Sequence, residues 1–378
     1  MFKIDPKEQR TLTKHTAFCH LPFTKLILNS WGDVSMCCHQ TTQLGRLDEK
    51  TNVLDLWNSH LAREIRDFTT KGNLHPVCSS WNSCPFMVSE KWDYTFLQYR
   101  RSAYPMYLEI CLPDKHCNIG GEKPSEENPA CIMCRRNFHT PDQQDITDFL
   151  CEKAKPLMPY LRYLCVLGIA EPFWKDAVFN IFNKLDFERY KDRIEFTTNT
   201  NGTCLNEKMT RKFFETVNTS DLSWSLDSAT PETHIKIRRL DAFDLVVKNL
   251  RRWVVMREEY GGKKKHKVCV YNNINMFNVH EMTKMVELSH DIGVDKMIML
   301  PTYDQSGVVQ LGEMLMCEKN LDIFKKSSEE AMMRSQELGV KLYYSKKFDE
   351  LPPPVEDSRP TTPEHPHEAN LVQLDLNP

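Results

Sequence analysis

The sequence predicts an α/β fold in which strands alternate with helices and pair in parallel. Between residues 104 and 345, six short apolar runs alternate with five stretches of helical pattern. Elements in this alternation build a barrel or a doubly wound sheet, and in both the chemistry lies at the carboxyl ends of the strands. A cysteine-rich region comes before these elements, and a proline-rich region comes after them.

The predicted elements follow one another in regular order. The strands are predicted at residues 107–112, 161–167, 193–198, 222–226, 267–270 and 296–300. The helices are predicted at residues 146–157, 174–185, 206–217, 242–253 and 279–290. Pro172 favours a helix that starts close behind it, because its fixed φ suits a first helical turn. Asn278 is the predicted N-cap of the last helix, with Glu281 as its capping-box partner.

Composition divides the chain into three regions and excludes some classes of protein. We expect a cysteine-rich domain at residues 1–100, a barrel at 101–345 and a disordered tail at 346–378. A net charge of −3 over 378 residues is unlike that of proteins that coat nucleic acids or membrane surfaces. No apolar run approaches the ~18 residues of a membrane span, and the polar N-terminus is unlike a signal peptide. We therefore expect a cytoplasmic protein without membrane or nucleic-acid partners.

Fourteen cysteines are the most unusual feature of the composition. In a long chain without a signal peptide, clustered cysteines indicate metal binding or catalysis more often than disulfides. Nine of them precede residue 135. The later five are dispersed, some in apolar segments, and are interpreted as core residues.

A loop with three cysteines follows the first predicted strand. Cys117, Cys131 and Cys134 are spaced as C-x13-C-x2-C in a polar, turn-rich segment. Three soft thiolates on one loop can hold an iron–sulfur cluster or zinc. A [4Fe–4S] cluster with three cysteines leaves one iron open for a substrate or cofactor. A structural zinc site is closed by four ligands, and His116 is available as the fourth, so both metals stay open.

Polar residues follow the later predicted strands. The second strand runs into Glu171, the third into Asn199 and Asn201, the fourth into Asp227 and the fifth into Asn273. Because the carboxyl ends of parallel strands meet at one edge of a sheet, we expect these side chains to lie near the three cysteines.

Taken in order, these motifs resemble the radical SAM superfamily over residues 105–305. In that family the loop after the first strand binds a [4Fe–4S] cluster, and a GGE motif, matched here by GIAEP at 168–172, contacts the amino group of S-adenosylmethionine. The resemblance implies a partial (β/α)6 barrel, places Ser225 and Asp227 near the ribose, and makes Arg238 a candidate for the carboxylate. The cofactor site implied by the resemblance comprises Gly168, Ala170, Glu171, Asn199, Asn201, Ser225, Asp227, Arg238, Asn273 and Leu300.

The spacing of the three cysteines departs from the usual C-x3-C-x2-C of that family. The sequence matches the usual motif if about ten residues have been inserted between Cys117 and the CIMC segment at 131–134. The entropy cost of closing a loop grows slowly with its length, so the three ligands are still expected to converge.

The N-terminal region resembles a second iron–sulfur module, of the SPASM or twitch type. Cys19, Gly32 and Cys37 form C-x12-G-x4-C, and Cys78 and Cys84 match the middle pair of the rest of the motif. The resemblance implies that these four cysteines hold one auxiliary [4Fe–4S] cluster, and that the module precedes the barrel instead of following it. His75 stands at the first position of the second half of the motif and Val88 at the last; Cys38 and His75 are spare or alternative ligands. A four-cysteine zinc site is the alternative.

The resemblance implies an oxidoreductase that uses radical chemistry. Such an enzyme reductively cleaves S-adenosylmethionine to a 5′-deoxyadenosyl radical, which abstracts hydrogen from a substrate. The substrate is not indicated by the sequence and is either a peptide or protein or a small molecule; no catalytic residue is assigned. A one-electron reductant of flavodoxin or ferredoxin type is the implied partner. The alternative is a barrel protein that binds zinc or transfers electrons without radical chemistry.

Overall fold

The structure is a computed structural model that describes residues 19–37, 43–71, 75–79, 103–137, 143–302 and 320–344. Several features of the sequence analysis lie outside these ranges, namely Cys38, Cys84, Val88, the predicted tail and the predicted domain boundary near residue 100.

The described strands form one sheet, and its central strands are all parallel. They run in the order β10-β9-β8-β7-β6-β5-β4-β1-β2-β3. The strands are β1 (Lys25–Leu28), β2 (Asp33–Ser35), β3 (Gly45–Arg46), β4 (Tyr107–Cys111), β5 (Tyr163–Leu167), β6 (Glu195–Thr200), β7 (Ser220–Ser225), β8 (His266–Ile274), β9 (Lys296–Pro301) and β10 (Leu342–Tyr344). The six predicted strands correspond to β4–β9, and every neighbouring pair among them is parallel. The predicted parallel α/β fold is confirmed.

Helices connect the parallel strands. The described α-helices are α1 (Leu21–Thr24), α2 (Val53–Trp57), α3 (His60–Thr70), α4 (Pro76–Ser79), α5 (Thr147–Ala154), α6 (Ala177–Lys184), α7 (Glu207–Thr216), α8 (Pro231–Arg238), α9 (Phe243–Met256), α10 (Met282–Ile292) and α11 (Leu321–Leu338). The sequence analysis did not predict α8, which Thr230 caps by accepting a hydrogen bond from Thr233 N at 3.4 Å. None of the described helices is both long and apolar enough to cross a membrane.

The hydrophobic core lies between these helices and one face of the sheet. Phe182 of α6 meets Phe196 of β6 edge-on with ring centroids 4.9 Å apart. Trp253 of α9 packs against Phe213 at 4.8 Å and against Trp224 of β7 at 6.0 Å. Burial of one such phenylalanine contributes about 1.5–3 kcal/mol to stability. Alternate residues of β6 and β7 therefore pack under the helices, and those between them face the opposite side.

The start of α6 differs from the prediction. Lys175 and Asp176 have positive φ values of 52° and 56°, so the segment Trp174–Asp176 forms a 3-10 turn that cannot run on as an α-helix. α6 therefore begins only at Ala177. The prediction that the α-helix starts at Trp174, close behind Pro172, is wrong, because the 3-10 turn comes between Pro172 and α6.

The predicted capping box before α10 is also wrong. The Asn278 side chain makes no cap hydrogen bond; its amide donates to Asp227 O at 2.7 Å and its oxygen accepts from Asn275 N at 2.7 Å. Glu281 reaches instead to the start of α8, where it accepts from Ala229 N at 2.7 Å and from two threonine hydroxyls. Both side chains are buried, and tertiary partners satisfy them in place of the helix end.

The N-terminal cysteine-rich region adds strands to the barrel sheet. β1 and β2 form an antiparallel hairpin, and Gly32 occupies its turn with φ +89°, where the Asn29 side chain accepts from Trp31 N and Asp33 N. β1 in turn pairs in parallel with β4, from Lys25 opposite Tyr107 to Leu28 opposite Ile110. The hairpin is thus continuous with the first strand of the predicted barrel.

Candidate iron–sulfur and cofactor site

The long spacing between the first two cysteines is accommodated by a loop that closes on itself. Gly120 has φ +80°, and a Cβ there would lie 2.8 Å from Ala130 N, so the two limbs of the loop touch at these residues. Between them, Ser125 and Asn128 pair in a turn through Ser125 N to Asn128 O at 3.1 Å. The insertion therefore projects as an exposed loop while its ends, which carry Cys117 and Cys131, stay together.

Two side chains that follow Cys134 hold this cysteine loop (residues 112–137) in shape. The buried guanidinium of Arg136 donates to Ile119 O at 2.9 Å and to Gly121 O. Asn137 donates to Cys131 O at 2.7 Å and accepts from Ala130 N at 3.0 Å. Arg136 therefore joins the limb after the insertion to the limb before it, and Asn137 fixes the backbone around Cys131.

The three thiols are half-buried neighbours. Burial, together with the proximity of Cys131, raises the pKa of Cys117 to about 11 and that of Cys134 to about 12. Among the residues described, no three His, Cys, Asp or Glu side chains form a ready metal-binding group. Three cysteine sulfurs on one loop are nevertheless the donor set that an iron–sulfur cluster uses, and the thiols lose their protons on binding.

His116, the alternative fourth ligand for zinc, has one ring nitrogen engaged, while its Nδ1 is buried without a hydrogen-bond partner among the described residues. Its Nε2 lies 2.7 Å from Asp145 Oδ2, and its ring meets Trp174 edge-on at 6.4 Å. Its backbone oxygen accepts from Glu171 N at 2.6 Å. The residue thus connects the cysteine loop to the end of β5.

The segment after β5 lies directly against the end of β4. Gly168 has φ +129°, and a Cβ there would come within 2.5 Å of Leu112 O, so only glycine fits. Glu171 is fully buried, and its carboxylate accepts from Thr200 Oγ1 at 2.7 Å, Asn201 N at 2.6 Å and Phe173 N at 3.2 Å. Burial outweighs these hydrogen bonds and raises the pKa of Glu171 to about 7. The carboxylate therefore braces the ends of β5 and β6.

A polar network joins the cysteine loop to the end of β6. Asn118, which follows the first cysteine, donates to Thr203 Oγ1 at 2.8 Å and accepts from Asn201 Nδ2 at 3.0 Å. Thr203 donates through its backbone N to Asn201 Oδ1 at 3.0 Å. The sequence analysis missed Asn118 and Thr203, although the position of Asn118 next to Cys117 was a usable signal.

A chain of contacts also joins the cysteine loop to the ends of β7 and β8. Buried Asp227 accepts from Asn273 N at 2.6 Å and forms an ion pair with Arg238 of α8. Arg238 Nη1 in turn donates to Cys131 Sγ at 3.8 Å. Arg238 thus connects the cysteine loop to Asp227 and Asn273, two of the residues predicted on later strand ends.

The other predicted cofactor-site residues lie around this cluster of contacts. Ala170 is half-buried two residues after Gly168, Asn199 is exposed near the end of β6, and Ser225 is half-buried at the end of β7. Leu300 of β9 is half-buried and lies opposite Asn273 in the sheet register. These four are near the expected strand ends.

Three of the four predicted auxiliary ligands lie within the described residues. Cys37 is buried just after β2, and Cys78 is half-buried in α4. Cys19 N donates to Thr69 Oγ1 of α3 at 2.8 Å, which holds the start of the region to that helix. Since Cys84 is outside the described residues, the four-ligand set stays a prediction, as does the zinc alternative.

Comparison with known proteins gives one family match. The model of the SPASM iron–sulfur cluster-binding domain matches residues 19–85. Residues 19–85 are therefore similar to SPASM domains. The match covers the segment in which the sequence analysis placed the auxiliary iron–sulfur module, and this segment precedes β4 in the chain. A search of the curated proteins finds no match.

Among solved structures the similarities are distant. SuiB of Streptococcus suis, bound to S-adenosylmethionine, is 14% identical with a TM-score of 0.46, over 85% of this chain and 71% of SuiB. The protein anSMEcpe, with bound AdoMet and a Cp18Cys peptide, is 14% identical with a TM-score of 0.46, over 64% of this chain and 63% of its own. A domain of a pyruvate-formate lyase-activating enzyme from Bacteroides vulgatus is 12% identical with a TM-score of 0.33, over 47% of this chain and 94% of its own.

Proposed function

We propose that this protein is a radical SAM enzyme with a SPASM auxiliary module. The observation that carries the proposal is that the cysteine loop is hydrogen-bonded to the ends of β5 and β6 and to helix α8, which follows β7. Glu171 N bonds His116 O after β5, Asn201 bonds Asn118 after β6, and Arg238 beyond β7 bonds Cys131. These are the strand ends where the sequence motifs imply S-adenosylmethionine.

Cys117, Cys131 and Cys134 would hold the [4Fe–4S] cluster of the barrel. When bound, that cluster supplies one electron and an open iron for the cleavage of S-adenosylmethionine to a 5′-deoxyadenosyl radical. The protein's part is to keep the three sulfurs converged and to fix the strand ends around them. Cys19, Cys37, Cys78 and Cys84 would hold the auxiliary cluster, and a flavodoxin- or ferredoxin-type protein would supply the electron.

The face of the sheet away from the helices carries polar side chains, which favour a polar substrate. Asn199, Ser223 and Ser225 lie there in adjacent strands, with Asn199 directly opposite Ser223. Their amide and hydroxyl groups can donate and accept hydrogen bonds, as a peptide backbone requires. A peptide is therefore the substrate class that we propose, and hydrogen abstraction from it is the proposed reaction.

The test is anaerobic reconstitution of the full chain with iron and sulfide, followed by reduction with dithionite and addition of S-adenosylmethionine. We expect about eight iron atoms per chain and formation of 5′-deoxyadenosine. Cys131→Ala should abolish 5′-deoxyadenosine, whereas Cys151→Ala in α5, buried in the core, should retain it. Full cleavage by Cys131→Ala would refute the assignment of the cysteine loop, and a colourless zinc protein without iron would establish the alternative function.

A further inference from the structure

A buried cation lies against one of the proposed cluster ligands. Arg238 is 9% exposed, and its Nη1 donates to Cys131 Sγ at 3.8 Å. A backbone hydrogen bond from Ile132 N to Ile237 O at 2.8 Å holds the same two segments together. Because α8 and the CIMC segment are joined both through the backbone and through the guanidinium, the position of Arg238 is set by the fold.

The charge of Arg238 is balanced by one carboxylate. Its second terminal nitrogen pairs with Asp227, a fully buried residue whose other oxygen accepts from Asn273 N at 2.6 Å. The remaining donor, Nε, is buried and has no hydrogen-bond partner within the described part of the chain. The guanidinium of Arg238 thus contacts the sulfur of Cys131 on one side and the carboxylate of Asp227 on the other.

We propose that Arg238 and Asp227 set the reduction potential of the barrel cluster through Cys131. The inference rests on the proposed function for the presence of that cluster. An N–H donated to a ligand sulfur stabilises the negative charge that reduction adds, so Arg238 makes the cluster easier to reduce. Asp227 makes the cluster harder to reduce, because its negative charge lies beside the guanidinium in a water-poor site and offsets part of the positive charge. The two residues therefore act in opposite directions.

This role is separate from the binding of the S-adenosylmethionine carboxylate that the sequence motifs imply for Arg238. A guanidinium has five N–H groups, and the contacts to Cys131 and Asp227 leave Nε and further hydrogens for a ligand. The contact with Cys131 is made by protein atoms alone, so its effect on the cluster is measurable with S-adenosylmethionine absent. Arg238 is a positioning and tuning residue in this proposal.

The experiment is a redox titration of the reconstituted full chain without S-adenosylmethionine, followed by electron paramagnetic resonance. The barrel-cluster signal is identified as the one that Cys131→Ala removes, and the auxiliary-cluster signal serves as an internal reference. The variants are Arg238→Gln, Arg238→Lys, Asp227→Asn and, as the matched control, Lys236→Gln. Lys236 is exposed on α8, so its replacement removes one positive charge from the same helix without touching the cysteine loop.

We expect Arg238→Gln to lower the reduction potential of the barrel cluster and Asp227→Asn to raise it. The expected size is about a tenfold change in the reduction equilibrium, or about 59 mV for one electron. Arg238→Lys should fall between wild type and Arg238→Gln, and Lys236→Gln should leave both signals in place.

Shifts of the same sign in Arg238→Gln and Asp227→Asn, or no shift in either, would overturn the proposal even if the wild type cleaves S-adenosylmethionine. Loss of iron from both variants would also overturn it, because it would assign the residues to cluster assembly instead. Failure of the proposed function is recognised separately, since the wild type itself would then lack the barrel-cluster signal.

Discussion

Lys25 of β1 and Glu109 of β4 form an ion pair of 2.8 Å, with side chains only 14% and 7% exposed. The pair joins the SPASM hairpin to the first strand of the barrel, along the only described edge where the two regions share strand pairing. Lys25 also lies 4.8 Å from the centroid of the Tyr107 ring. The N-terminal hairpin is therefore held to β4 by strand pairing and by a charge pair that is largely shielded from water.

Breaking this ion pair should destabilise the protein more than removing it entirely. Lys25→Met and Glu109→Gln each leave one buried charge without its opposite charge, at a cost of about 3–5 kcal/mol. The double variant Lys25→Met/Glu109→Gln should recover part of that loss. Urea denaturation of the four proteins gives the coupling energy, and strictly additive losses would show that the two side chains do not interact energetically.

The contact between Gly120 and Ala130 should be required for cluster binding. Gly120→Ala introduces a Cβ at 2.8 Å from a backbone nitrogen, at a residue with φ +80°, so the two limbs of the cysteine loop must separate. We expect the reconstituted variant to lose about four of about eight iron atoms per chain, one [4Fe–4S] cluster. Gly339→Ala is the matched control, because Gly339 has φ +71° and nothing within 4 Å of the new Cβ. Equal iron contents in the two variants would contradict the prediction.

Stability should depend on pH through Glu171. Its pKa is raised from 4.5 to about 7 by burial, so the folded protein holds a proton there that the unfolded chain releases. The stabilisation that this proton gives is complete below pH ~4.5 and is lost as the pH rises through about 7. Glu171→Gln should remove this dependence, so the difference between the unfolding free energies of the two proteins should change across that window. An unchanged difference from pH 4.5 to 7.5 would refute the prediction.

The SPASM module should carry its own cluster. Cys78→Ala should lower the iron content by about four atoms per chain while the barrel cluster keeps the ability to cleave S-adenosylmethionine. Cys165→Ala in β5 is a suitable control, because that thiol is buried in the sheet and lies outside the predicted ligand sets. Iron analysis and 5′-deoxyadenosine formation are the two measurements. An unchanged iron content in Cys78→Ala would mean that Cys78 is not a ligand.

Much of the fold and part of the site could be predicted from local sequence patterns. Apolar runs and turn residues located β4 to β9 to within a few residues, since both are properties of a short segment. The spacing of Cys19, Gly32 and Cys37 carried the resemblance to a SPASM module, and a SPASM domain model matches that segment. Cysteine spacing and polar strand ends indicated where the candidate site lies.

The remaining features depend on contacts between distant residues, which a local pattern does not contain. Arg238 meets Cys131 across 107 positions of the chain, and Lys25 meets Glu109 only because β1 pairs with β4. Asn278 and Glu281 have the sequence of a capping box, yet buried partners near α8 take their hydrogen bonds. The sequence alone thus determined the order of elements and the donor groups. Only the tertiary structure decided which donors meet, because burial makes each polar group take whichever partner packing brings within reach.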